Sequence, residues 1–167
     1  MFFAWTAFYQ TIGSASAALV GLLFIVATLS SRQQQGGVHL GMQLFTTPTV
    51  FHLSLVLIVS ALALAPPSPM YRPAAAMTLV ALIGCVHSIP LAIRIARLPN
   101  PSHWSDFWCY GAAPGVAYLA LAGATGATWA GAPHASHWIG LIVLVLLALG
   151  IRNAWDLVTW LAPRRPG

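Results

Sequence analysis

The chain has 167 residues, of which 59% are hydrophobic and only 5% charged, and its mean hydropathy is +0.81. A soluble domain carries roughly 25% charged residues, so this composition excludes an ordinary soluble fold and points to a protein immersed in a bilayer. The net charge of +5 arises from seven arginines and two acidic residues. The arginines are scattered, and no basic groove with interleaved aromatics offers itself to nucleic acid.

Five apolar stretches cover residues 4–29, 44–65, 74–96, 108–130 and 138–161. Each has about 20 residues or more, enough for a helix to cross a hydrocarbon core of about 30 Å. The expected fold is an all-α integral membrane bundle of five transmembrane helices, forming a single transmembrane domain over residues 1–167.

The first stretch does not read as a cleaved signal peptide. It lacks a basic leader, and its small-residue run Ser14-Ala15-Ser16-Ala17 precedes the most apolar part. Gly13, Ala17 and Gly21 recur every four residues and define a candidate helix-contact face, where another backbone can approach closely. Residues 32–43 then read as a polar, glycine-bearing loop. The second stretch carries His52 and stops at Pro66-Pro67-Ser68-Pro69, which no helix continues through. In the third, Cys85 and His87 precede Pro90, which should kink the helix and free a carbonyl. Residues 98–107 form a Pro-Asn-Pro connector that leads into an aromatic and polar segment with interfacial character.

The fourth stretch begins near Cys109 and holds Tyr118, with Gly111, Gly115, Gly123 and Ala127 as further small positions. Cys85 and Cys109 read as small buried hydrophobes rather than a disulfide. The following loop carries His134 and His137, a spacing that suits one metal, but no Cys, Asp or Glu on that side completes a site. Neither a metal nor a cofactor is expected. In the fifth stretch Arg152, Trp155, Asp156 and Thr159 share one helix face, with Asn153 beside them.

Five spans place Arg32, Arg94, Arg97, Arg164 and Arg165 on one side and Arg72 on the other. The arginine-rich side is normally cytoplasmic, which puts the N-terminus outside and the C-terminus inside. Tryptophans agree, with Trp5, Trp129 and Trp138 at one interface and Trp104, Trp108 and Trp160 at the other.

Counting rise along each helix places His52, His87, Tyr118, Arg152 and Asp156 in the same half of the bilayer. They form the candidate functional polar cluster. Charges there need a partner, and Asp156 near a helix C-terminus asks for a donor from another helix. Three readings compete: an Arg152–Asp156 pair that holds the bundle, a proton or ion path, and bis-histidine haem between His52 and His87. An enzyme is not expected. The chain has no Lys for a Schiff base and no hydrolase, metalloprotease or nucleotide-binding motif.

The run Tyr9-Gln10-Thr11-Ile12-Gly13-Ser14-Ala15-Ser16-Ala17-Ala18-Leu19-Val20-Gly21-Leu22-Leu23-Phe24-Ile25-Val26 resembles the opening helix of small five-span bacterial integral membrane proteins. Leu62-Ala63-Leu64-Ala65-Pro66 and Asn153-Ala154-Trp155-Asp156-Leu157-Val158 are similar as well. Members of that group are mostly uncharacterised, and some carry the automatic label "modulator of FtsH protease". The resemblance implies a setting in membrane quality control and no catalytic residue. Asp156 departs from the mostly apolar pattern of the group. The resemblance implies a bacterial inner membrane, and the expected role is a binding or regulatory subunit acting through helix–helix contacts, with a membrane-protein partner or a second copy in the lipid bilayer. The alternative is a small channel or proton-coupled transporter using the polar cluster.

Overall fold

The structure, a computed structural model, describes residues 5–33, 39–66, 71–97, 105 and 107–161. These residues contain five helices long and apolar enough to span a bilayer, and no strand. They are α1 (Thr6–Gln33), α2 (His39–Leu64), α3 (Tyr71–Ala96), α4 (Ala113–Trp129) and α5 (Ala135–Leu161). A π-helical segment, Phe107–Ala112, leads directly into α4. The protein is an all-α, multi-pass helical bundle. Helices dominate because a backbone in hydrocarbon must satisfy its own hydrogen bonds.

The polar loop expected over residues 32–43 is shorter than the sequence suggests. Helix α1 runs on to Gln33 and α2 starts at His39. Polar residues remain helical beyond the apolar core because nothing there breaks the helix as proline does. The connector at residues 98–107 lies outside the described residues except for Ser105 and Phe107, as do Pro67, Ser68 and Pro69. Gly131 ends α4 with φ of 71°. Its N–H donates to the Thr128 carbonyl at 3.2 Å, and that of Ala132 to Ala127 at 3.0 Å. This paired closure needs the left-handed conformation that glycine adopts freely.

Helices α2 and α5 meet across the middle of the bundle, and α1 lies over α2 with an edge on α5. Helices α3 and α4 pair extensively, whereas α2 and α3 share a smaller contact. Leu53, Val56, Met77, Leu121, Ile139 and Val143 fill the core. Lipid is as apolar as these side chains, so close packing and interhelical hydrogen bonds must hold the helices together. Gly150 admits Leu53, since a Cβ there would fall 2.6 Å from the Leu53 side chain. Gly84 likewise receives the Tyr118 ring. Ser16 Oγ donates to the Leu53 carbonyl at 2.6 Å, tying α1 to α2.

The small-residue face of α1 meets its neighbour only in part. Gly13 is buried, and a Cβ there would lie 3.2 Å from Ser60 Cβ on α2. Ala17 and Gly21 are exposed, and Gly21 has nothing within 4 Å of such a Cβ. The residues that α1 turns inward are Tyr9, Ile12, Ser16 and Leu23. Spacing of small residues marks where a helix can approach, but the larger side chains fix the rotation.

Candidate functional site

The expected polar cluster separates into two groups, joined through Tyr110. The first is set in the core of α2, α3 and α4. His52 and Tyr118 are both buried, and His52 Nδ1 lies 3.0 Å from the Tyr118 hydroxyl. The imidazole tautomer determines which of them donates. His87 sits with its ring centroid 5.9 Å from that of His52, at an interplanar angle of 76°. Phe51 lies against His87 with ring centroids 4.0 Å apart. Nε2 of His87 and Oγ of Ser88 are buried without a hydrogen-bond partner among the described residues. Such atoms are costly in an apolar interior, so they mark where water or a ligand is to be sought.

The second group lies at the end of the bundle that carries Arg94, Arg97 and Arg152. Arg152 and Asp156 pair along α5 at 3.8 Å, with side chains 38% and 48% exposed. Asn153 is buried between α5 and the π-helical segment. Its Nδ2 donates to the Cys109 carbonyl at 2.9 Å, and its Oδ1 accepts from Arg152 at 3.3 Å. A π-helical turn shifts the backbone ladder by one residue, and Asn153 supplies a partner for a carbonyl in it. The Tyr110 hydroxyl contacts the Asn153 carbonyl at 3.3 Å and Asp156 Oδ2 at 3.4 Å. Its main chain also lies beside the His52 ring, which links the two groups.

The further donor expected for Asp156 is therefore Tyr110. Sequence reasoning missed it because an aromatic at a span end reads as an interface residue. Asn153 was adjacent to the expected face, but its burial against the π-helical segment depends on helix rotation, which the sequence does not carry. The structure brings His52, His87 and Tyr118 together and places Arg152 and Asp156 apart from them, at the half-exposed rim.

The haem reading meets an obstacle in this packing. Phe51 covers one face of His87, and Tyr118 occupies one nitrogen of His52. A macrocycle between the two rings would need these side chains to move. His134 and His137 have ring centroids 5.9 Å apart, and His137 also packs edge-on against Trp5 at 5.0 Å. Among the described residues no group of three or more His, Cys, Asp or Glu could hold a metal.

Among the described residues, two of the grooves on the bundle offer room for a neighbouring helix. One of about 280 Å³ lies between α1 and α2 and is lined by Gly13, Ser14, Ala17, Leu57, Ser60 and Ala61, among others. The other, of about 450 Å³, lies between α3 and the start of α4 and is apolar except for Arg97. No family model, curated protein or solved structure matches this chain, so the functional reading rests on its own geometry.

Proposed function

We propose that this chain is a binding or regulatory subunit of a membrane assembly, which receives a transmembrane helix of another membrane protein. The observation that carries this is the groove between α1 and α2. Gly13, Ser14 and Ala17 present little side chain there, so a foreign backbone can come close. Ser60 faces the same groove, and its buried Oγ has no hydrogen-bond partner among the described residues. A hydroxyl at a small-residue groove is the kind of interhelical donor that membrane interfaces use.

Orientation with the N-terminus outside belongs to the same proposal and rests on the arginine asymmetry, and residence in a bacterial inner membrane rests on the resemblance. A setting in membrane quality control rests only on the resemblance carried by the first span, the end of the second and the 153–158 segment of the fifth. No catalytic role is proposed.

The test is site-specific photo-crosslinking in native membranes from Ala17 and Ala61, with the lipid-facing Phe24 as control. A discrete protein adduct from the groove positions, absent from Phe24 and removed from Ala61 by Ser14→Leu, is expected. An adduct with the mass of two copies would replace the foreign partner by self-association. Equal labelling from Phe24 and the groove would show that no helix docks there.

A further inference from the structure

A polar crevice of about 330 Å³ opens between α2 and α3 near the arginine end. It forms where these helices share their smaller contact and where each is interrupted by proline, at Pro48 and Pro90. A proline has no N–H for the carbonyl one turn earlier, and its ring pushes the helix open. Pro90 thus leaves the Val86 carbonyl without its usual partner, and Val86 lines the crevice.

His87, Pro90 and Arg94 fall at i, i+3 and i+7, so they share the face of α3 that walls the crevice. Thr47 lies on the facing wall. Arg94 and Thr47 have no hydrogen-bond or ion-pair partner among the described residues. His87 offers an imidazole whose nitrogens no described neighbour engages. No carboxylate lines the space. The wall therefore presents one fixed cation and neutral donors, with a spare main-chain acceptor beside them.

That combination suits a phosphate ester with a hydroxylated substituent. Arginine makes charge-assisted bonds to phosphate, and basic pockets between transmembrane helices hold anionic headgroups. The level fits too. Arg94 is in the last turn of α3, and His87 lies about 10 Å deeper along the helix. Leaving the crevice toward the bilayer centre, α3 exposes Val86, Ile83 and Leu79 on one side, a track for an acyl chain.

We propose that the α2–α3 crevice binds a phosphate ester carried by an anionic phospholipid such as phosphatidylglycerol. Arg94 supplies the charged contact, and Thr47 and His87 supply hydrogen bonds. The Val86 carbonyl accepts from a headgroup hydroxyl. This inference is independent of the groove between α1 and α2 and survives if no partner helix docks there.

The experiment is native mass spectrometry of the full chain released from mixed bilayers of phosphatidylglycerol and phosphatidylcholine. Retention of phosphatidylglycerol should exceed that of phosphatidylcholine by about fivefold and fall to parity in Arg94→Gln. Thr47→Val should lower it partly, while Arg97→Gln, which lines the other side of α3, should not. Arg94 is exposed at a helix end, so its substitution does not threaten folding. A second arm follows the His87 imidazole by selective nitrogen labelling in detergent, the signal being assigned by its loss in His87→Gln. A response to inorganic phosphate without lipid, with no lipid preference in the first arm, would keep the site and identify a soluble phosphate ester as its ligand. Phosphatidylglycerol adducts unchanged by Arg94→Gln would overturn the proposal. So would equal retention of both lipids together with a His87 signal indifferent to phosphate.

Discussion

Asn153 and Asp156 are near neighbours on α5, yet they do different work. Asn153 is buried and bridges α5 to the Cys109 carbonyl. Asp156 is half-exposed, and its pair with Arg152 is stretched to 3.8 Å. Exposed ion pairs contribute about 0–1 kcal/mol, whereas removing the partner of a buried polar group costs about 1–3 kcal/mol. Asn153→Leu should therefore lower the thermal midpoint in mild detergent clearly more than Asp156→Asn or Arg152→Leu. Equal losses from all three would return the anchoring role to the ion pair. Tyr118→Phe is a milder change, because interhelical hydrogen bonds in bilayers average about 0.6 kcal/mol. A loss near that size identifies the His52–Tyr118 contact as an ordinary packing bond. A much larger one would mean that the whole histidine group depends on it.

At the scale of the element, glycines on one helix differ by what they face. A Cβ at Gly111 would fall 2.6 Å from Ala92 Cα, so the π-helical segment could not keep its approach to α3. Gly123 on α4 has nothing within 4 Å. Gly111→Ala should cost about 1–3 kcal/mol by overpacking, while Gly123→Ala should be neutral or stabilising by up to about 1 kcal/mol. Unfolding in a denaturing detergent titration orders the two, and the reverse order would refute this account of the α3–α4 contact. Both glycines stand in one small-residue series in the sequence, and only the structure separates them. The spans themselves were legible because twenty apolar residues leave a bilayer helix no alternative. Rotation was not legible. Gly13, Ala17 and Gly21 marked a real edge of α1 but not its buried stripe, which Tyr9, Ile12 and Leu23 define. The π-helical turn was invisible too, since it arises from a tertiary fit around Gly111 and Asn153 rather than from local propensity.

For the whole molecule, the depth of the polar groups separates binding from conduction. His52, His87 and Tyr118 occupy the half nearer the arginine end, and Tyr110, Asn153 and Asp156 continue toward that end. In the other half the bundle centre is filled by Met77, Leu121, Ile139 and Val143, all buried. The threonines there serve their neighbours: Thr78 donates to Thr125 at 2.9 Å, and Thr125 bonds the Leu121 carbonyl at 2.9 Å. An ion leaving His52 toward the tryptophan end would thus meet apolar side chains and threonine hydroxyls already engaged. A charge in such a stretch costs several kcal/mol without water or a partner. Purified protein in liposomes should accordingly carry no proton or cation current above that of empty vesicles, at either sign of membrane potential. His52→Gln and Asp156→Asn should leave that baseline unchanged. A flux that appears in wild type and vanishes in both variants would require a second conformation in which α4 and α5 part at Leu121 and Val143. It would make the histidine group a relay rather than the closed end of a one-sided cavity. Enlarging the barrier residues separates the cases further. Leu121→Trp would suppress a genuine current, but it should not touch phospholipid retention at the α2–α3 crevice, which opens on the other side of the histidines.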